Sequence, residues 1–259
     1  MESLIELPPV DLEQLNASAQ LLTRIDRKYV IGRDDLATLV GGVEGLHVLE
    51  VDGRRGFHYA STYFDTADLA GWAASAHPRR RRWKVRSRLY ADTGECWLEV
   101  KTRGSRAVTV KERTPYDADR RGELTPPAQT WVGDRLVAAG VGGVDPAGLG
   151  ATLRTRYRRT TLLLPDGTGR ATIDSDLTWE APAGRACVGD VLVVETKSPP
   201  GGPGPLDLRL WRLGHRPVRL SKYGTGLALL TPGLPRNRWH RVITRRLDPT
   251  LHIDEGASA

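Results

Sequence analysis

The sequence is poor in cysteine and in lysine, and it has no long hydrophobic run. Its two cysteines, Cys96 and Cys187, are too few for a disulfide framework, and neither lies in a Cys-x-x-Cys pair of the kind that binds zinc. No stretch approaches the roughly 18 consecutive apolar residues of a membrane-spanning helix. Residues 1–11 have neither the basic nor the apolar segment of a secretory signal. These absences predict a cytoplasmic protein without a transmembrane segment.

Basic residues are abundant and unevenly divided. The 259 residues include 38 basic and 31 acidic side chains, which gives a net charge of +7. Six of the 38 are lysines, so 32 are arginines. Because lysine is a compact charge with a shiftable pKa and arginine is a fixed planar fork, a lysine kept in so arginine-rich a chain suggests a specific role. The positive excess favours a polyanionic partner, although a solvated basic surface would also explain it.

Predicted strands outnumber predicted helices, and hairpin turns join most of them. The pattern indicates about eight or nine strands, with helices inserted between groups of strands. The loop Gly142–Gly150 is rich in glycine and proline, but similar strands flank it, so it marks no domain boundary. The sequence therefore predicts one α+β domain built on a large antiparallel sheet or barrel.

Charged and apolar side chains alternate along the predicted strands. Because alternate residues of a strand share a face, each strand has one apolar and one charged face. Lys84, Arg86 and Arg88 share one such face, and Asp174 and Asp176 share another. An ordinary solvated sheet face explains any single strand. Taken together, however, the charged faces are dominated by cations, and a barrel that enclosed them would need a polyanion or water in its lumen.

Short motifs of basic, acidic and aromatic residues follow one another from about residue 20 to residue 230. None is specific alone, but their order is. They are Arg24–Tyr29, Tyr63–Thr66, Lys84–Tyr90, Leu98–Lys101, Lys111–Arg113, Arg156–Arg159, Ile173–Asp176, Val194–Lys197 and Ser221–Tyr223. In this order they resemble the VTC domain, the polyphosphate-polymerase domain within the triphosphate tunnel metalloenzyme (CYTH-like) superfamily.

This resemblance implies an architecture. It predicts an α+β fold with a closed antiparallel eight-stranded β-barrel, the triphosphate tunnel, and flanking helices. The expected divisions are an N-terminal helical segment over residues 1–20, a VTC-like tunnel domain over residues 21–232 and a C-terminal tail over residues 233–259.

The resemblance also implies roles for individual residues. In the family, a basic interior grips a chain of phosphates, and a nucleoside triphosphate donates its terminal phosphate to a growing polyphosphate. The implied phosphate-binding residues are Lys28, Arg86, Arg88, Lys101, Lys111, Tyr157, Arg159, Arg170 and Lys222. Of these, Arg86, Arg88 and Lys222 are implied to be catalytic, with Lys222 closing on the phosphates from a helix near the tunnel mouth. Glu195 is implied to bind the metal, Mn²⁺ or Mg²⁺.

The first motif departs from the wider superfamily. Many tunnel enzymes begin with a metal-binding Glu-x-Glu-x-Lys strand, whereas this chain has Arg24, Asp26 and Lys28 there. This favours the VTC branch over the thiamine-triphosphatase and adenylate-cyclase branches. The strand carboxylates that suit a hard divalent cation beside phosphate oxygens are Asp26, Glu99, Asp174 and Glu195. We expect one strongly bound ion, at Glu195.

Two signals near the last motif predict no further chemistry. Ser221 and Lys222 are adjacent on a predicted helix and do not face each other, so they do not form a nucleophile pair. The stretch Gly224–Gly226 lacks the pattern of a phosphate-binding loop and predicts a loosely packed helix instead.

Three functions fit these observations. The leading hypothesis is synthesis of inorganic polyphosphate from ATP or another nucleoside triphosphate. The alternatives are hydrolysis of tripolyphosphate or a nucleoside triphosphate, and a non-catalytic polyphosphate-binding module. Nucleic-acid binding is not expected, because no nucleic-acid motif or row of stacked aromatic residues accompanies the basic strands. The sequence leaves open whether a membrane protein acts as a partner.

Overall fold

The computed structural model of the chain describes residues 2–18, 25–77, 79–103, 109–167, 169–247 and 251–255. Arg24, the first residue of the first motif, lies outside the described residues. The strands are β1 (Pro9–Val10), β2 (Ile25–Gly32), β3 (His47–Leu49), β4 (Phe57–Asp65), β5 (Arg82–Tyr90), β6 (Cys96–Arg103), β7 (Thr109–Pro115), β8 (Gly150–Leu163), β9 (Arg170–Ala181), β10 (Gly184–Val188), β11 (Val191–Ser198) and β12 (Leu251–Glu255).

Short helices lie between and after the strands. The α-helices are α1 (Leu12–Ser18), α2 (Asp35–Val40), α3 (Ala70–Ala76), α4 (Pro126–Ala138), α5 (Pro205–Arg212), α6 (Lys222–Leu230) and α7 (His240–Val242). Single helical turns occur at Glu2–Leu4, Pro146–Gly148, Pro165–Gly167, Asn237–Trp239 and Ile243–Leu247. Among the described residues, no helix is both long and apolar enough to cross a membrane.

Eight strands form one continuous antiparallel path in the order β2, β11, β9, β8, β4, β5, β6, β7. Residues of β2, β5, β6 and β7 line the same cavity, which shows that the path curls. Within the described residues, however, no backbone ladder joins β7 to β2. The large antiparallel sheet expected from the sequence is therefore present, whereas closure of the barrel by hydrogen bonds is not confirmed. The edge strand β7 is mostly exposed and carries Lys111, Glu112 and Arg113, and charged side chains are a common protection for an unpaired edge.

The outer face of the curled sheet is apolar and covered by helices. Leu192 and Val194 of β11 belong to a buried cluster to which α2 and α5 contribute. A second cluster joins Val85 and Leu98 to Val132 of α4. Each fully buried aliphatic side chain contributes about 1.5–3 kcal/mol. Burial of this face leaves the alternate residues of the same strands pointing into the lumen, as the period-two pattern predicts.

Helix α6 covers an apolar part of the lumen face. Val30, Leu177 and Val193 form one buried cluster with Leu227 of this helix. Contrary to the sequence prediction, α6 is tightly packed. A Cβ atom at Gly226 would lie 2.2 Å from the indole of Trp179, so only glycine permits this approach.

The segment after residue 232 also packs on this end of the sheet. A Cβ atom at Gly224 of α6 would lie 2.1 Å from the indole of Trp239, whose ring centre is 5.5 Å from that of Trp72. Strand β12 extends the sheet by pairing with β10. The division at residue 232 remains a prediction, but these contacts place residues of the C-terminal segment against α6.

Candidate functional site

Cations lie directly opposite one another across three neighbouring strands. Lys84 of β5 is paired with Lys101 of β6, which is paired in turn with Lys111 of β7. Two residues further along, Arg82 faces Arg103. Because like charges directly opposite in a sheet are destabilising, this arrangement indicates a surface that meets negative charge.

Glu99 is the buried counter-ion of one cluster. It accepts a hydrogen bond from Arg86 Nε at 2.6 Å, and Lys111 Nζ lies 2.6 Å from its other oxygen. Arg88 Nε is 4.0 Å away. Burial alone would raise the pKa of Glu99, but Arg86, Arg88 and Lys111 hold it below its usual range. Burial also lowers the pKa of Lys111 to about 8. Three predicted phosphate-binding residues therefore share one carboxylate.

Asp174 holds a second cluster. Arg159 donates two hydrogen bonds to it, at 2.6 and 2.8 Å, and Lys222 Nζ donates to the same carboxylate. Lys222 Nζ also lies 4.3 Å from the ring centre of Tyr157, which stacks on Tyr59. Burial opposes the charge on Asp174, but Arg159 and Lys222 lower its pKa to about 2. The structure thus brings together predicted residues from β8 and from the N-terminus of α6.

Glu195 holds a third cluster. It lies opposite Lys28 in the β2–β11 ladder, with Lys28 Nζ at 3.3 Å and Lys197 Nζ at 2.6 Å. Burial would raise the pKa of Glu195, but Lys28 and Lys197 hold it well below its usual range. Burial lowers the pKa of Lys101, which also feels the charges of Lys28 and Glu195. Arg170 lies opposite Lys197 in the β9–β11 ladder. The remaining predicted residues are therefore grouped around the predicted metal ligand.

A cavity of about 380 Å³ opens beside Lys28, Lys84 and Lys101. Lys84 Nζ donates to Ser221 Oγ at 2.9 Å, and Ser221 caps the N-terminus of α6. Burial, together with the charges of Lys101 and Lys28, lowers the pKa of Lys84 to about 7. The sequence assigned Lys84 no role, yet it lies where a phosphate in this cavity would meet it.

Several buried polar atoms on the lumen face have no partner. In the part of the chain that the structure describes, the atoms without a hydrogen bond include Ser61 Oγ, Arg88 Nε, Thr155 Oγ1, Tyr157 OH and Thr172 Oγ1. A buried polar group left unbonded costs about 1–3 kcal/mol. Because such groups are rare and these share one face, they indicate a lumen that binds a polar ligand or water.

Two tyrosines of β4 position the catalytic arginines predicted from the resemblance. Tyr63 OH accepts a hydrogen bond from Arg86 Nη1 at 3.1 Å, and the Arg88 guanidinium lies 5.6 Å from the ring centre of Tyr59. Sequence reasoning gave neither tyrosine a role. The period-two pattern of β4, which places both on the lumen face, is the signal that could have found them.

The predicted shared face of Asp174 and Asp176 is wrong. The register between β8 and β9 shifts between Arg156 and Arg158, and Asp176 has a left-handed backbone with φ of 56°. Such a bulge inserts an extra residue and re-aims its side chain. Asp176 therefore pairs with Arg33, 3.1 Å away, instead of joining the Asp174 cluster.

Glu195 is the metal ligand implied by the resemblance, and this role remains a prediction. Within the described residues, no group of three His, Cys, Asp or Glu side chains could hold a metal ion. Protein ligands alone therefore do not complete a site there. Mg²⁺, however, is commonly bound by one or two carboxylates while substrate phosphates and waters supply the other oxygens. The ionised Glu195, beside the cation-lined cavity, fits that mode of binding.

The family is shown by a match between the sequence and the VTC domain over residues 23–231. The chain therefore belongs to the VTC domain family. This membership supports a triphosphate-binding tunnel fold, and the matched residues include every predicted site residue. A comparison with curated proteins found no significant match.

A comparison with solved structures found matches at low sequence identity. One is a putative adenylyl cyclase from Hippeastrum, HpAC1, described as having a dominant triphosphatase activity, at 16% identity and a TM-score of 0.47, covering 83% of this chain and 100% of the other. Another is a conserved hypothetical protein from Pyrococcus furiosus, at 12% identity and a TM-score of 0.34, covering 74% and 88%. A third is the PH1012 protein from Pyrococcus horikoshii, at 13% identity and a TM-score of 0.36, covering 74% and 88%.

Proposed function

We propose that this protein is a metal-dependent phosphotransferase that binds triphosphate and polyphosphate in its basic tunnel and synthesises inorganic polyphosphate from ATP. The observation that carries the proposal is a set of three clusters, each with one buried or half-buried carboxylate that is shared by two or three lysines and arginines. In a chain of the VTC family, this surplus of cations suits a row of phosphates.

The arginines bind and orient the phosphates. Each guanidinium can donate two parallel hydrogen bonds to phosphate oxygens, which fixes the substrate chain as well as neutralising it. Arg88 Nε has no hydrogen-bond partner within the described residues, so it is a donor ready for a phosphate oxygen. Arg86 and Arg159 would exchange part of their contact with Glu99 and Asp174 for the substrate.

Lys222 acts at the transferred phosphoryl group. Its ammonium contacts Asp174 and the ring of Tyr157. The backbone of Lys222 is held at the start of α6, and the side chain can turn from there. Phosphoryl transfer depends mainly on positioning and on neutralising charge, which a lysine supplies as a mobile point charge. A shift of its ammonium from Asp174 to the phosphate needs no proton transfer.

Glu195 would hold Mn²⁺ or Mg²⁺ together with phosphate oxygens. A divalent ion bound there neutralises charge that develops on the phosphates. Lys28 and Lys197 keep Glu195 ionised, and they lie close enough to bind phosphate oxygens themselves.

The transfer conserves the number of phosphoanhydride bonds. A terminal oxygen of the growing polyphosphate attacks the γ-phosphorus of ATP, the bond to the bridging oxygen breaks, and ADP leaves. With water as the nucleophile, the same tunnel would release inorganic phosphate.

Incubation of the pure protein with ATP and Mn²⁺ tests the proposal. We expect polyphosphate chains on a gel, with ADP formed in step. Free phosphate without chains would replace the polymerase by a hydrolase of tripolyphosphate or nucleoside triphosphates. Tight polyphosphate binding without either product would indicate a non-catalytic binding module.

A further inference from the structure

Five arginines line the cavity. Arg27 pairs with Asp207, and the other four come from separate parts of the chain. One begins β5, one ends β6, one lies in the segment before α6 and one lies in the C-terminal segment. These four, here called the arginine collar, are Arg82, Arg103, Arg219 and Arg238. Within the described residues, Asp26 is the single acidic side chain that lines the same cavity. The collar therefore carries a local excess of positive charge.

The collar residues lie close enough to repel one another. Arg82 and Arg103 are directly opposite across β5 and β6. Burial, together with the neighbouring cations, lowers the pKa of both Arg82 and Arg238. Such a grouping of like charges favours the binding of an anion among the guanidinium groups.

Arg238 is fixed beside the cavity by its neighbours. Its Nη1 donates to the backbone oxygen of Ser75 at 3.0 Å, and the adjacent Trp239 is buried against α6 and Trp72. Both residues lie beyond the 23–231 range that matches the family. A part of this chain outside the matched domain thus contributes a cation to the cavity.

The collar and the tunnel lysines share one space. Lys28, Lys84 and Lys101 line the cavity together with the collar. Its volume is about 380 Å³, far above the roughly 10–15 Å³ that a single water needs. A cavity of this size has room for linked phosphate groups that contact both the lysines and the collar.

We propose that the arginine collar is a binding subsite for the phosphate units of linear polyphosphate that extend beyond those held by the tunnel lysines, with the C-terminal segment supplying Arg238. The proposal rests on the proposed function, because it requires that a phosphate chain occupies the tunnel. It goes further by giving the protein a preference for long chains over tripolyphosphate.

The test compares Arg238→Gln with a matched control, Arg241→Gln, an exposed arginine of α7 that does not line the cavity. Affinity is measured for tripolyphosphate and for a polyphosphate of several tens of units, at a series of salt concentrations. We expect the wild type and Arg241→Gln to bind the long chain more tightly than tripolyphosphate. Arg238→Gln should lower the affinity for the long chain roughly three- to tenfold and leave the affinity for tripolyphosphate unchanged. The dependence of long-chain affinity on salt concentration should fall in slope by about one.

A second variant, Arg219→Gln, keeps the test decisive if Arg238→Gln shifts the melting temperature. Equal loss of affinity for both chain lengths, or an equal effect of Arg241→Gln, would overturn the collar. So would wild-type binding without any dependence on chain length. An RNA of equal charge could bind as tightly as polyphosphate and lose as much affinity in Arg238→Gln. That result would identify nucleic acid, and not polyphosphate, as the ligand of the collar. Failure of the wild type to bind tripolyphosphate would instead refute the proposed function.

Discussion

Buried and half-buried carboxylates occur in two regions of this protein, and their partners differ in kind. In the shell, where helices pack on the sheet, Asp65 and Asp207 are bound chiefly by backbone N–H groups and hydroxyls. In the tunnel, Glu99, Asp174 and Glu195 are bound by the ends of lysine and arginine side chains. The first arrangement fixes elements of the fold, and under the proposed function the second keeps cations ready for a substrate.

Asp207 shows how the shell works. It accepts hydrogen bonds from Tyr29 OH at 2.7 Å, from Thr196 Oγ1 at 2.6 Å and from the backbone N–H of Gly204 at 2.9 Å, and it also meets Arg27. These donors come from β2, β11 and the start of α5. Their atoms are fixed by secondary structure, so the carboxylate links three elements permanently.

Asp65 links β4 to helices α3 and α6 in the same way. It accepts from the backbone N–H groups of Gly71 and Trp72 in α3, at 2.9 and 2.8 Å, and from Tyr223 OH in α6. Two of the sequence motifs therefore meet through a structural contact. The tunnel carboxylates differ because each of their cations can turn to a phosphate oxygen without breaking a helix or a strand.

The largest effect is expected in the tunnel, from Lys222→Ala and Glu195→Ala. Each should lower turnover by ~10³-fold or more, because each removes charge neutralisation at the transferred phosphoryl group. Initial rates with ATP and Mn²⁺ measure this, and thermal unfolding checks the fold. The exposed Arg216→Ala serves as a control with unchanged rate. Full activity in either tunnel variant would contradict the site assignment.

The next effect belongs to the shell. Asp207→Asn should destabilise the fold by ~3 kcal/mol, because it removes one partner from a buried, charged hydrogen-bond network. Denaturant unfolding measures the loss. Turnover per folded molecule should stay close to that of the wild type, since Asp207 does not face the lumen. A fall in turnover without a loss of stability would remove the distinction between shell and tunnel.

Glu99→Gln tests the same comparison by removing the negative charge of a tunnel carboxylate. The variant should be less stable alone, since three cations lose their counter-ion. It should bind tripolyphosphate about tenfold more tightly, because Arg86, Arg88 and Lys111 no longer need to leave Glu99. The stabilisation produced by a fixed tripolyphosphate concentration should therefore exceed that of the wild type. For Asp207→Asn this ligand-induced shift should match the wild type, and equal shifts in both variants would disprove the contrast.

The sequence predicted the lumen residues better than their partners. Period-two alternation places Lys28, Lys101 and Glu195 each on the charged face of its own strand, because strand geometry is local. Pairing is not local: the approach of Lys222 to Asp174 depends on how α6 packs on β8 and β9. Arg238 lies 15 residues beyond the end of the last motif at Tyr223. Its segment has weak patterning, so no periodic signal linked it to the tunnel. Closure of the barrel depends on the edge strands and did not follow from alternation either.

The last effect concerns the protonation of Lys84. Burial and the neighbouring cations lower its pKa from 10.5 to about 7, so at pH 8 this lysine is largely neutral in the free protein. Because the folded-state pKa lies below the unfolded value, the free energy of unfolding should rise as the pH increases from about 7 towards 10. Lys84→Met should show a smaller rise, since it removes that group.

Phosphate in the cavity would reverse this shift. A bound polyanion favours the charged lysine, so binding of tripolyphosphate at pH 8 should take up as much as about one proton at Lys84. Calorimetry in buffers of different ionisation enthalpy measures the uptake, and the difference between the wild type and Lys84→Met separates it from protons released by the phosphates themselves. Asp207→Asn, whose change lies in the shell, should behave as the wild type. Equal uptake in Lys84→Met would mean that Lys84 does not meet the phosphate, and the tunnel clusters would then bind it without this lysine.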